Sequence, residues 1–333
     1  MAKRIVIVGG GTGGTMTANI LASKLDSEIR NGQVTITLLS DSPVHIYQPA
    51  FLYLAFDRFY EDEFTRSERD LLRPEVDFAV DKTVGIDFKS CFVQGASGRK
   101  YQYDYLVLST GSYPDPSAIP GLEKGGDWFY TKEGAKKLAK KIATFEKGRI
   151  LLSVGVPHKC PVAPLEVIFM LNDYFKAKGI RKNIELYYTY PIARLHALEP
   201  VANWAVGMFE KEGIKSETFF NMESVDPEKK TLSTLEGSEV PYDLLIAIPP
   251  HKGADIIVDS GLSKSGWIPT DKQTLKVTGY DNVYALGDGT DLPISKAGST
   301  AHFEADVVAE NLTSEIKSGY PAHFYDGRVL CFI

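Results

Sequence analysis

One short pattern restricts what this chain can fold into more than any other: Gly9-x-Gly11-x-x-Gly14 follows directly on an apolar run at residues 4–8 and opens a stretch of helical composition at 15–25. In that context the first glycine permits a tight turn, the second lets the backbone approach a pyrophosphate, and the third allows close contact between helix and strand. The helix N-terminus then faces the phosphates with unpaired N–H groups and the positive end of its dipole. A second apolar run at 34–39 completes a βαβ unit.

The same alternation continues. Apolar runs at 105–109, 150–154, 184–189, 244–248 and 283–286 read as buried strands, and 164–178 and 302–317 read as helices. Residues 87–93 also read as a strand, with Cys91 as a packed thiol. At 333 residues the chain exceeds what one hydrophobic core usually organises. The expected fold class is therefore α/β, with two Rossmann-like dinucleotide-binding domains in tandem. Residues 1–114 and 246–333 form the first and 115–245 the second, inserted one, with proline-rich points at 114–120 and 249–250 marking the crossings.

Composition excludes several function classes. Lys+Arg 37 against Asp+Glu 43 leaves a mildly acidic chain, so no nucleic-acid partner is expected. The three cysteines are too few and too scattered for a secreted disulfide framework, and without a C-x-x-C pair no metal site is expected. The N-terminus runs straight into a strand, leaving no room for a signal peptide. No stretch approaches the roughly 20 apolar residues of a membrane span. The cytoplasmic side is the expected location.

An acidic residue normally ends the second strand of such a unit and binds ribose hydroxyls. Here Ser40 holds that position and Asp41 follows it, so both are candidates for the cofactor's ribose. Two further segments, Ser109-Thr110-Gly111 and Asn282-Val283-Tyr284-Ala285-Leu286-Gly287-Asp288, resemble the second and third FAD signatures of the pyridine-nucleotide-disulfide-reductase superfamily. That resemblance implies FAD as cofactor and a disulfide-reductase-like fold. It makes Gly9, Gly11, Gly14, Thr110, Gly111 and Gly287 part of the FAD site, with Asp288 on the ribityl chain. The N-terminus of the following helix would then point at the flavin pyrimidine, where it stabilises negative charge on the reduced ring.

At the start of the inserted domain a nicotinamide site would carry a second glycine motif, but the chain reads Gly155-Val156-Pro157-His158-Lys159-Cys160-Pro161-Val162-Ala163-Pro164-Leu165-Glu166. This argues against NAD(P)H as electron donor. The segment is similar to the G-x-P-x-K-C-P-x-A-P-x-E signature of the sulfide:quinone oxidoreductases and of the flavoprotein subunit of flavocytochrome c sulfide dehydrogenase. Lys296-Ala297-Gly298 and Tyr325-Asp326-Gly327 leading to Cys331 also resemble those proteins.

The resemblance implies oxidation of sulfide to zero-valent sulfur or polysulfide, with electrons passing through FAD to a membrane quinone. Cys160 and Cys331 would hold the disulfide or polysulfur bridge that sulfide opens, with Lys159 and the helix starting near residue 164 favouring the thiolate. Glu166 would manage protons, although a glutamate in a first helical turn also serves simply as a dipole partner. Lys296 would stabilise charge on the flavin pyrimidine or a quinone carbonyl. His196 resembles a histidine near the sulfide channel of relatives, and Phe303 and Phe332 are candidate quinone-site walls. The third cysteine of many relatives has no counterpart, Tyr130 standing in its neighbourhood.

Relatives bind the membrane surface through amphipathic helices beyond the last cysteine. Such a segment is absent from these 333 residues, so the implied peripheral attachment comes from the relatives. A homo-oligomer is left open. The competing readings are a flavocytochrome c type sulfide dehydrogenase subunit and a non-catalytic flavin-binding electron-transfer subunit.

Overall fold

The computed structural model describes residues 2–320 and 323–331. Residues 2–46, 65–113, 252–320 and 323–331 form one compact unit, and 47–64 and 114–251 form a second. Nine strands carry the two parallel sheets: β1 (Lys3–Val8), β2 (Val34–Ser40), β3 (Asp77–Val80), β4 (Tyr105–Leu108), β5 (Gly148–Val154), β6 (Ile184–Thr189), β7 (Lys215–Glu217), β8 (Leu244–Ile248) and β9 (Val283–Ala285). The helices that matter below are α1 (Thr12–Lys24), α2 (Lys132–Thr144), α3 (Ala163–Ala177), α4 (Glu199–Glu212) and α5 (Gly298–Ser318).

In the first unit the sheet order is β9-β4-β1-β2-β3, every pairing parallel. Both faces are covered, and the two-residue period of a strand sorts them. Ile5 and Ile7 pack with Leu21, Ala305 and Val308 on the side of α1 and α5, while Val6 and Val8 pack with Leu106, Leu108 and Ile257 on the other. β1 is flanked by β2 on one side and β4 on the other, so the chain reverses its winding direction at β1. A crevice opens beyond the strand ends at such a switch point, and that is where open α/β sheets take their ligands. The second unit repeats the plan on a smaller scale, with order β7-β6-β5-β8, again parallel.

The α/β class and both parallel sheets are as the sequence led one to expect, with two local corrections. Residues 87–93 are not one strand: Thr83–Asp87 and Phe92–Gly95 form an antiparallel hairpin, with Cys91 in its turn at φ +52°. Phe88 and Cys91 flank the turn at Lys89 and Ser90, so no glycine or proline marks the break in the sequence. The long C-terminal helix starts at Gly298 rather than at 302, because extended Ala297 acts as its N-cap and Thr300 Oγ1 donates to Ser295 O at 2.7 Å, closing the entry turn.

Two of the three glycines of the first motif are sterically required. Gly9 has φ +111°, and a Cβ there would lie 2.3 Å from Ser109 O. A Cβ on Gly14 would lie 1.9 Å from Gly9 O, whereas one on Gly11 would meet nothing. Gly14→Ala is therefore expected to lower stability by about 3 kcal/mol by forcing α1 off β1. Gly207→Ala, in α4 where nothing lies within 4 Å of the added methyl, should raise it by about 1 kcal/mol. Urea unfolding midpoints measure both.

Candidate functional site

In the first unit, three segments remote in sequence meet at the mouth of the crevice. Ser109, the residue after β4, donates its hydroxyl to Val8 O and Gly9 O, both at 3.0 Å, and so props the glycine turn. Leu286 N donates to Leu108 O at 3.1 Å, carrying the sheet pairing one residue past β9. The chain then enters a single 3-10 turn, Gly287–Gly289, with Gly287 at φ +77°. A Cβ on Gly289 would touch Gly111 O at 3.0 Å and Thr110 Oγ1 at 3.2 Å. Thus Gly9, Gly11, Thr110, Gly111, Gly287 and Asp288 lie on three segments that buttress one another, with Gly14 in the first turn of α1 behind them.

This cradle fits a dinucleotide. α1 begins at Gly11 with no side-chain cap and no acidic residue in its first turn, leaving its N–H groups and dipole for an anion. The space beside Gly11 is open, and so is that beside Gly111, which sits at φ +68°. Thr110 Oγ1, 3.2 Å from where a Cβ on Gly289 would stand, is buried without a hydrogen-bond partner among the described residues. α5 likewise starts with no acidic residue in its first turn.

Ser40 ends β2 as a buried residue, and Asp41 beside it is exposed. The buried carboxylate next to the turn is Glu68, which the sequence did not single out. Its side chain is fully buried, accepting from Thr15 Oγ1 at 2.5 Å and pairing with His45 Nδ1 at 2.8 Å. Glu68 reaches the turn from a short helix, Glu68–Leu71, well after β2, so strand-end spacing could not have found it.

Lys296 donates to Thr290 O at 2.6 Å and lies 4.4 Å from the Trp267 ring centre. Burial pushes its ammonium below the ordinary lysine range, while Asp288, Glu304 and Asp291 pull it back. From α5 the chain returns along the helix: His323 N donates to Asn311 Oδ1 at 2.9 Å, and Leu330 N approaches Ser299 Oγ at 3.3 Å. This brings exposed Cys331 to the entry of α5, with its Sγ 3.8 Å from Ser295 Oγ. Phe303 packs against the α1–α5 core, with the Arg328 guanidinium 5.6 Å from its ring centre, and Phe332 lies outside the described residues.

The second unit gathers a different set. Cys160, half-buried and at φ +52°, stands just before α3, and Ala163 N donates to its carbonyl at 3.2 Å. Cys91 shares that backbone conformation, so strain alone does not distinguish Cys160. Lys159 is buried, with Nζ donating to Gln48 Oε1 at 2.8 Å. Glu166 occupies the first turn of α3, and burial raises its carboxyl above the ordinary range. His196 is fully buried; Nδ1 accepts from Leu198 N at 3.0 Å, which leaves the proton on Nε2. Burial lowers the His158 pKa to about 4, so at neutral pH it is uncharged.

Tyr130 joins this group. Its ring stacks on Phe129 at 4.8 Å and meets His251 edge-on at 4.8 Å, and its buried hydroxyl has no partner among the described residues. The phenol is pushed far up, first by burial and then by Cys160, Tyr188, Tyr190 and Glu166. The His251 backbone N–H donates to Pro157 O at 2.6 Å, fastening the end of β8 to the cysteine loop. Within this unit, then, a sulfur, a carboxyl and two further phenols lie close enough to act on the buried Tyr130 phenol.

Residues 3–158 match the family model described as pyridine nucleotide-disulphide oxidoreductase. The chain is 27% identical to the mitochondrial sulfide:quinone oxidoreductase of Dictyostelium discoideum, over 98% of this chain and 74% of that protein. It is 25% identical to the sulfide-quinone reductase of Aquifex aeolicus, over 96% of this chain and 78% of that one. The crystal structure of the sulfide:quinone oxidoreductase from Aquifex aeolicus superposes with a TM-score of 0.85 at 23% identity, covering 96% of this chain and 78% of that one. The fold is that of the pyridine nucleotide-disulphide oxidoreductases. Ser109→Ala should cost about 1 kcal/mol, because Val8 O and Gly9 O lose their shared donor; thermal unfolding of the purified protein measures this.

Proposed function

We propose that this chain, a relative of the sulfide:quinone oxidoreductases with the pyridine nucleotide-disulphide oxidoreductase fold, oxidises sulfide to zero-valent sulfur or polysulfide and delivers the electrons through bound FAD to a membrane quinone. The observation that carries this reading is the loop before α3. Where a nicotinamide-binding unit needs a glycine turn, this one presents Cys160, with Glu166 one helical turn beyond and a neutral, aromatic surround.

When bound, FAD would supply two-electron acceptance from sulfur and release to the quinone. The chain's own residues divide the remaining work. The N–H groups of α1 and the open face of Gly11 would hold the pyrophosphate, Ser40 and Asp41 the ribose, and Thr110, Gly111, Gly287 and Asp288 the ribityl chain. Lys296 and the start of α5 would place positive charge at the pyrimidine edge.

Hydrosulfide attacks one sulfur of a bridge between Cys160 and Cys331. A new S–S bond forms, the old one breaks, and the departing thiolate carries the electron pair. The pairing of these two cysteines rests on the resemblance alone. The N-terminal end of α3 favours an anion on Cys160, and Glu166 takes the hydrosulfide proton. Attachment to the cytoplasmic face of the membrane would be peripheral, as the resemblance implies; no helix among the described residues is long and apolar enough to cross a bilayer.

Anaerobic titration of the flavin-loaded protein with sulfide tests the proposal. Flavin absorbance should bleach and recover on addition of a short-chain quinone, and Cys160→Ala should keep its FAD but not bleach. A parent protein that stays oxidised over the titration sinks the reading. Because burial raises the Glu166 pKa and a base works only when ionised, the bleaching rate should climb with pH through that raised value. In Glu166→Gln this limb should vanish and the rate fall about 100-fold, as stopped-flow absorbance would show.

A further inference from the structure

A second buried carboxyl takes no part in this scheme. Glu304 lies on the inward stripe of α5, in register with Ala301, Val308 and Leu312, and is 0% exposed. Its Oε2 accepts from Gly287 N at 2.6 Å, tying the helix to the Gly287–Gly289 turn, and its Oε1 is buried with no partner among the described residues. An apolar stripe gains nothing from an acid with one idle oxygen; a hydrophobic residue would pack there more cheaply. The carboxyl has a defined orientation, a free oxygen and a position directly behind the turn that carries Asp288.

Few charges face it. Asp288 approaches from the turn, Lys296 from the loop before α5, and Tyr325 from the returning C-terminal segment. Its neighbours one turn away on α5 are Thr300, Ala301, Val307 and Val308, none of which titrates. From α1, packed alongside, the one ionisable side chain is Lys24, which is engaged with Glu310 instead. Burial first, then the Asp288 charge, raise the Glu304 pKa to about 7, while the Gly287 N–H and Lys296 act against them. A carboxyl so placed changes protonation in response to one more nearby charge.

We infer that Glu304 is a redox-linked proton site: it binds one proton when negative charge arrives on the group held at the Gly287–Gly289 turn and releases it on reoxidation. The inference rests on the flavin-binding reading above. In balance, the two electrons come from the sulfur donor and leave to the quinone, and the proton comes from solvent to Oε1 and returns there. At acid pH Glu304 is neutral in both redox states and costs nothing. At alkaline pH it is ionised in the oxidised state, so reduction must either protonate it or proceed against its charge.

The test is the midpoint potential of the flavin-loaded protein, measured by dye equilibration from about pH 5 to about pH 9, in the parent and in Glu304→Gln, which keeps the acceptor for Gly287 N. The two curves should coincide at acid pH. Above about pH 7 the parent should fall more steeply, by one additional proton per two electrons, and lie below the variant. Parallel curves across the range overturn the inference. In the parent alone, the redox-difference infrared spectrum at alkaline pH should gain a carboxylic-acid C=O band on reduction, shifted in D2O. Its absence overturns the inference even if the variant fails to fold. Dithionite serves as reductant, so indifference to sulfide would count against the functional reading and leave Glu304 standing, whereas a purified chain that takes up no flavin overturns both.

Discussion

The first unit depends on one close approach: α1 reaches β1 because neither Gly9 nor Gly14 has a side chain, and the Ser109 hydroxyl fills the space between them. A Cβ at Gly14 would overlap Gly9 O, and one at Gly9 would overlap Ser109 O. The contact fixes the angle at which α1 leaves the sheet, and hence where its N-terminal N–H groups point. It also joins β1 to β4, the two strands at the switch point. α5 packs on α1, so its N-terminus, Lys296 and Glu304 inherit their positions from the same contact.

The second unit uses the same sheet plan for a different purpose. β5 leads to a turn, as β1 does, but prolines, a buried lysine and Cys160 replace the glycines, and the turn is held by side chains and by the His251–Pro157 hydrogen bond. A backbone of that kind cannot lie flat against a pyrophosphate. It presents a sulfur at a helix N-terminus, among groups that burial keeps neutral: His158 far below its usual range, Glu166 above its own, and the phenols of Tyr130 and Tyr188 well above theirs. The helix dipole and the neighbouring buried Lys159 are then what favours negative charge at the sulfur.

Much of this was legible along the chain, and the reason is local. Core strands are short blocks rich in apolar, β-branched and aromatic residues, so β2, β6 and β8 stood out almost to the residue. Glycines with steric duties sit at fixed spacing, and the cysteine loop is one uninterrupted segment. What escaped were groups whose meaning depends on what packs against them. Glu68 reaches the glycine turn from a helix beyond the second strand, and the Tyr130 ring lies against Phe129 and His251 with its hydroxyl buried and without a partner among the described residues. Glu304 left a visible mark, an acid on the apolar stripe of a helix, but the stripe alone does not show that Gly287 N lies 2.6 Å away.

The sequence by itself determined the fold class, the cradle glycines and the choice of a cysteine loop over a second glycine motif, since each is written in the spacing of neighbouring residues. Only the tertiary structure decided which carboxyls are buried, which side-chain atoms have no partner, and that Cys331 returns along α5 to Ser295. Those properties come from contacts between segments far apart in the chain. Burial and electrostatic coupling are functions of distance in space, which residue spacing does not encode.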